Sequence, residues 1–242
     1  MNLEDKSALV TGAAVRVGRA LALGLAGEGM KVVVHYGSSG REAEGVVAEI
    51  VERGGRAVAI QADLSVHAEV LRLASEAGAA FGGLDLLVNS AALFPVEGLA
   101  QVDEAVWDAT QAVNLKAPFF LTQQIGRTMK ERGGGAIINI GDLSGLQPWS
   151  SHAADAVSKA GLLHLTRVAA RALAPEVRVN AVVPGTVLPP AGTPDRAVRR
   201  LAKRAALQRV GTPEDVVAAV LYLARAGFVT GQLLCVDGGR WL

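Results

Sequence analysis

Cysteine occurs once in the 242 residues, at Cys235, which excludes an internal disulfide and any metal centre built from cysteines. Histidine is nearly as scarce, and His35, His67, His152 and His164 stand at no paired spacing that metal ligation uses. Tyrosine occurs only at Tyr36 and Tyr222. Half the residues are hydrophobic, yet no uncharged run approaches the roughly 20 residues that cross a bilayer. Residues Met1 to Lys6 include acids and no hydrophobic stretch, so no secretory signal is expected. A net charge of +1 gives no electrostatic reason to expect nucleic acid. The composition therefore points to a soluble, cytoplasmic protein, with no membrane partner and no metal.

What the chain does have is short apolar runs that end in glycine. Ala8-Leu9-Val10 is apolar throughout, as in a strand buried on both faces of a parallel sheet, and Thr11-Gly12 follows at once. Beyond Gly18, Leu21, Leu23 and Leu25 with the intervening alanines suit a buried helix. Strand, glycine turn and helix is the context that a dinucleotide needs. Gly12 allows the tight turn, Gly18 allows close packing, and the helix start offers free N–H groups to a pyrophosphate. Arg16 stands where a middle glycine is expected.

Lys31 to Tyr36 reads as the second strand. An acid at its end would bind the ribose 2′-hydroxyl of NAD and repel a 2′-phosphate, and none occurs before Glu42. Ser38, Ser39 and Arg41 can receive a phosphate, with Arg16 on the same side, so NADP(H) is expected. The alternative for Arg41 is a solvated charge at a helix start.

The same alternation continues. Strand three, Ala57–Ile60, leads to Asp63, which either caps the next helix or accepts from an adenine amino group. Strand four, Leu84–Val88, runs into Asn89-Ser90-Ala91-Ala92, small residues that let a ring or ribose approach the backbone. Strand order is expected to reverse here. Residues 102–132 read as one helix with Asn114 in its middle, where helix propensity gives it no reason to be. Strand five, Ala136–Ile140, delivers Gly141 and Asp142 into the same crevice, and a helix over 153–173 carries Asp155 and Lys159. Strand six, Val177–Val183, closes with Pro184-Gly185. Arg196, Arg199, Arg200, Lys203 and Arg204 form a basic helix, either a solvated face or a lid that meets an anionic substrate. Leu233–Val236 is the last strand. At this length, one α/β domain is expected: a Rossmann-type, doubly wound, seven-stranded, mostly parallel sheet with helices on both faces.

Along its whole length the chain resembles the short-chain dehydrogenase/reductase family. The matching pieces are Thr11-Gly12 to Gly18, Asp63-Leu64, Asn89-Ser90-Ala91, Asn114, Ile140 to Lys159, Val179-Asn180-Ala181 with Pro184-Gly185, and Val236 to Gly239. Arg16, Asp142 in place of the usual catalytic serine, and Phe94 as a pterin-stacking aromatic are similar to the pteridine reductase branch. The resemblance implies a cofactor part up to about residue 140 and a catalytic part beyond it. It implies Asn114, Asp142, Asp155 and Lys159 as catalytic positions, and Arg16, Phe94, Asp142 and Trp149 as substrate contacts. Cofactor contacts would be Gly12, Arg16, Val17, Gly18, Tyr36, Ser38, Ser39, Arg41, Asp63, Leu64, Asn89, Ser90, Ala91, Lys159, Pro184 and Gly185. It also implies a homotetramer, with Ala160, Gly161, Leu162 and Leu165 available to pair across an axis.

One departure matters chemically. The family's Tyr-x-x-x-Lys motif is here Asp155-Ala156-Val157-Ser158-Lys159. The register is secure, since Asp142 precedes position 155 by thirteen residues, the family's serine-to-tyrosine interval. An aspartate of ordinary pKa about 3.9 is ionised near neutrality, and a lysine one turn away favours that state. Asp142 works the other way, because two carboxylates in one pocket can share a proton. His152 is a weaker candidate acid. The readings are an NADPH-dependent reductase of a pterin-like or other conjugated substrate, a catalytically silent NADP(H) binder, and a general 3-oxoacyl or ketone reductase.

Overall fold

Ser7–Val10 (β1) is buried at all four positions, as a strand covered on both faces must be. In the computed structural model, which describes residues 1–190 and 192–242, six further strands join it. They are β2 (Lys31–Tyr36), β3 (Arg56–Gln61), β4 (Leu86–Asn89), β5 (Gly135–Ile140), β6 (Val177–Pro184) and β7 (Leu233–Val236). The order is β3-β2-β1-β4-β5-β6-β7, and every neighbouring pair is parallel. The sheet, expected to be mostly parallel, is parallel at every described pair, because each connection among the described residues carries the chain back along a helix or long loop.

Among the described residues eight α-helices accompany the sheet: α1 (Arg16–Gly27), α2 (Gly40–Glu52), α3 (His67–Ala80), α4 (Glu104–Gln111), α5 (Ala117–Glu131), α6 (Ala153–Leu173), α7 (Asp195–Ala202) and α8 (Pro213–Arg225). The two-residue period of the strands divides the core. Ala8, Val10, Val32 and Val34 pack with Leu21 and Leu25 of α1, Val46 and Ile50 of α2, and Val216 and Val220 of α8. Leu9 and Val33 face the opposite way, onto Leu73 of α3, Leu121 of α5 and Ala170 of α6. A one-residue slip would exchange the two sets, and each buried leucine or valine is worth about 1.5–3 kcal/mol, so the register is strongly specified.

The chain builds outward from β1 to β3 and then returns to place β4 on the other side of β1. The switch point is closed by Thr11. Its N–H donates to the Val88 carbonyl at 3.0 Å, and its hydroxyl accepts from the N–H groups of Ser90 (2.9 Å) and Ala91 (3.1 Å). Residues 102–132 differ from a single regular helix: a π-helical turn, Ala112–Lys116, separates α4 from α5. Asn114 lies in that turn, which is the physical reason a residue of poor helix propensity is accommodated.

Candidate active site

A crevice of about 1440 Å³ runs along the C-terminal ends of β1, β4, β5 and β6. Its inner end is the glycine loop. Gly12 has φ +63°, and a Cβ there would meet Ala91 Cα at 2.9 Å, so glycine is needed for both the turn and the close approach. The Gly12 N–H donates to His35 Nδ1 at 3.0 Å, while His35 Nε2 stands 3.1 Å from the Ala62 carbonyl. Only a neutral imidazole protonated at Nε2 satisfies both. Burial pushes His35 down to about 4, against the Ala62 hydrogen bond, which raises it. The sequence reading did not single out His35 for this role. A histidine inside a buried β-branched strand was the available signal.

Arg16 has φ +53°, the left-handed region that explains why a glycine is expected at this position. A non-glycine residue there costs about 1–2 kcal/mol. The Arg16 guanidinium donates to the Leu188 carbonyl at 2.6 Å, across the crevice mouth. It is thus turned toward the loop that follows β6.

Most of the expected cofactor positions border the crevice: Gly12, Arg16, Val17, Gly18, Ser38, Ser39, Asp63, Leu64, Ser90, Ala91, Lys159, Pro184 and Gly185. Three do not. The Tyr36 ring packs behind the loop, against the place a Gly40 Cβ would occupy. Arg41 is exposed on the first turn of α2, outside the lining. Asn89 is turned into the sheet, where it donates to Asn139 Oδ1 at 2.8 Å, and Asn139 donates to Thr166 Oγ1 at 2.9 Å. Asp63 does not cap α3, whose N-cap is Val66. Its Oδ1 instead accepts from Ser65 N–H and Ser65 Oγ–H at 2.8 and 2.7 Å, one turn earlier. The narrow glycine approach, the start of α1 and the small residues after β4 fit a dinucleotide, as does the absence of an acid along Gly37–Ser39.

Asp155 is fully buried on α6 and borders the crevice floor. Ser144 Oγ–H donates to its Oδ2 at 2.9 Å, and Asn114 Nδ2 donates to its Oδ1 at 3.2 Å. Asn114 does not line the crevice. Its amide also pairs with the backbone of Leu93, accepting from N–H at 2.7 Å and donating to the carbonyl at 2.9 Å. It thereby ties Asp155 to the loop after β4. Lys159 Nζ donates to the Ile140 carbonyl at 3.0 Å. The ion pair expected from the four-residue spacing is therefore not what holds Asp155.

The titration of Asp155 differs in cause from the expected carboxylate pairing. Burial raises it first, the Lys159 charge and the Ser144 hydrogen bond oppose, and Asp142 is a lesser contribution in the raising direction. Ser144 stands between the two acids, its N–H donating to Asp142 Oδ1 at 2.7 Å. Burial also lowers Lys159, with the charges of Asp155 and Asp142 opposing. The geometry thus favours the neutral form of both groups more than their sequence spacing implies. Ser144 was not anticipated, since nothing in its spacing marks it.

Phe94, His152 and Trp149 gather at the outer end. The Phe94 and His152 ring centroids are 4.4 Å apart, and those of Trp149 and His152 are 5.8 Å apart. His152 is consequently part of the crevice wall. Arg240 joins them from the C-terminal segment, its Cζ 4.9 Å from the centre of the Trp149 ring. Of the basic helix and its end, only Leu201 and Arg204 border the crevice, and Arg196, Arg199, Arg200 and Lys203 do not.

Residues 12–240 match the model of the family described as Enoyl-(Acyl carrier protein) reductase. The 3-oxoacyl-[acyl-carrier-protein] reductase FabG of Staphylococcus epidermidis is 37% identical over 243 residues, covering 98% of this chain and 100% of that protein. Among solved structures, the FolM alternative dihydrofolate reductase 1 of Brucella canis, complexed with NADP, is 33% identical with a TM-score of 0.93. That match covers 99% of this chain and 95% of the other. A blue fluorescent protein from a metagenomic library, in complex with NADPH, matches equally well, at 33% identity, full coverage of both chains and a TM-score of 0.93. With the parallel sheet, the glycine loop and the family match agreeing over nearly all of its length, this chain belongs to the short-chain dehydrogenase/reductase family.

Proposed function

We propose that the protein is an NADP(H)-dependent reductase of a small conjugated, pterin-like or carbonyl substrate, with Asp155 as its proton donor. The observation that carries this reading is the fully buried carboxyl of Asp155 at the crevice floor, raised by burial and held by Ser144 and Asn114. NADP(H), when bound, supplies the hydride. Gly12, Gly18 and the start of α1 would hold its pyrophosphate. Ser38, Ser39 and the start of α2 would take the 2′-phosphate. NADP and NADPH in two solved relatives support that choice.

The proton passes from the Asp155 carboxyl to the substrate atom that gains negative charge. The carboxylate left behind then accepts from Ser144 Oγ–H and Asn114 Nδ2–H and faces the Lys159 charge, which together limit the cost of ionising it in a buried place. Phe94 and Trp149 offer the flat apolar surfaces that a conjugated ring requires. A 3-oxoacyl substrate is the second reading, favoured by the 37% identity to the staphylococcal reductase.

Purified protein should be mixed with NADPH and, in parallel, a dihydropterin, a 3-oxoacyl thioester and an activated ketone, following loss of NADPH absorbance. The dihydropterin should be reduced fastest. Tight NADPH binding, read by its own emission, with no turnover of any substrate would replace this reading with that of a silent binder.

A further inference from the structure

Arg240 follows Asp237-Gly238-Gly239 and turns back into the crevice. Two contacts fix its plane: Cζ lies 4.9 Å from the Trp149 ring centre, and Nη1 donates to Thr186 Oγ1 at 2.9 Å. Arg204, just beyond α7, borders the same end. Among the described residues neither guanidinium has a carboxylate within 4.0 Å. Asp237, the nearest acid in sequence to Arg240, is committed elsewhere, its Oδ1 accepting from Gly239 N–H at 2.9 Å and its Oδ2 from Trp241 N–H at 2.8 Å. Asp142 and Asp237 reach Arg240 only through space, and Arg204 opposes it.

Arg240, half-buried, and Arg204, exposed, border one rim without a contacting acid and repel each other, and an anion placed between them relieves that repulsion. We propose that this rim is the recognition site for an oxyanion on the substrate, a carboxylate or a phosphate, received by the planar fork of Arg240 with Arg204 as the second charge. The substrate is then a conjugated or carbonyl compound with an anionic tail, its reacting centre at Asp155 and its tail at the outer end. This deepens the reductase reading and rests on it for the position of the reacting centre. It also separates Arg204 from the rest of the basic helix, whose other charges lie outside the crevice.

The test uses three ketones of matched shape, para-acetylbenzoate, para-acetylphenyl phosphate and the neutral para-acetylbenzamide, titrated calorimetrically into the whole protein with and without saturating oxidised NADP. At least one anion should bind about tenfold tighter than the amide, and the stronger of the two identifies the oxyanion. Arg240→Gln should remove that advantage. Arg204→Gln, at an exposed position with no packing role, should reduce the advantage and keeps the test decisive if Arg240→Gln disturbs Trp149. Equal binding of anions and amide overturns the proposal, as does an advantage that survives both substitutions or no binding of any ketone. Failure of NADP to bind would sink the reductase reading alone, since the titrations without cofactor still report on the rim.

Discussion

The Ser144 hydroxyl donates to Asp155 Oδ2 across 2.9 Å, and the same residue's N–H donates to Asp142 Oδ1 at 2.7 Å. One serine therefore joins the two acids of the site, and its hydroxyl acts on the acid that is fully buried. Ser144 and Asp142 push Asp155 in opposite directions: the hydrogen bond favours its carboxylate, and the neighbouring negative charge disfavours it.

That opposition gives a signed prediction. An acid that must carry a proton to act gives a full rate below its pKa and a rate falling about tenfold per pH unit above it. Burial places that alkaline limb above the ordinary aspartate range. Ser144→Ala should move the limb further up, and Asp142→Asn should move it down. Asp155→Asn should lower turnover by about 10²-fold or more while NADPH still binds. Initial-rate profiles in pH would show it, and limbs that move in the same direction in the two variants would rule it out.

His35 predicts the acid limit of stability. Its folded pKa of about 4 lies below the ordinary 6.5, so the unfolded chain takes up the proton first as pH falls. Its contribution is full above about pH 6.5 and is lost between there and about pH 4, on the order of 3 kcal/mol in total. His35→Asn retains an acceptor for the Gly12 N–H and has no group that titrates. Urea unfolding at several pH values should show a shallower acid dependence for the variant. Equal slopes would mean that other groups set the acid limit.

Cofactor choice rests on what is missing after β2. NADPH should bind about tenfold tighter than NADH, a difference of about 1.4 kcal/mol. Ser38→Asp places a carboxylate where Ser38 now borders the crevice and should reverse the preference. Fluorescence titration of the parent and the variant with both cofactors measures it. Equal affinities in the parent would sink the prediction.

We expect a homotetramer of about 100 kDa, four copies of the 25.0 kDa chain. The small residues first considered for the interface divide in the structure. Leu162 is buried within the subunit, and a Cβ on Gly161 would meet Leu115 Cδ2 at 2.8 Å, so neither is available to a partner. The exposed face of α6 instead carries Val157, Ala160, His164 and Val168, one stripe at helical spacing. Val157→Asp with Val168→Asp should yield smaller species by light scattering. A monomeric parent protein at micromolar concentration would refute the assembly.

Much of this was legible in the chain. Buried strands announced themselves as short apolar runs, and Gly12, Asn89-Ser90-Ala91 and Pro184-Gly185 marked strand ends because small residues have few other reasons to cluster there. What did not show was side-chain direction. Asn89 lies at the right strand end yet turns into the sheet, Arg41 stays outside the crevice, and Lys159 reaches back to Ile140 instead of forward to Asp155. Arg240 is brought to Trp149 by a fold over ninety intervening positions, which no local pattern encodes.

The last prediction concerns the phenol that this chain lacks. Asp155→Tyr should raise turnover of a generic activated ketone by about 10²-fold, the scale of a positioned acid. Position 155 borders the crevice, and Lys159 and Asn114 remain in place to act on a ring introduced there. A phenol of ordinary pKa about 10 would be brought closer to neutrality by the Lys159 charge. Asp155→Phe is the control, because it adds the ring without the proton. If the two variants perform alike, the gain comes from packing and not from acid chemistry. If neither gains and Asp142→Asn leaves native reduction unchanged, the site is not an acid catalyst and binding of NADP(H) is the protein's chemistry.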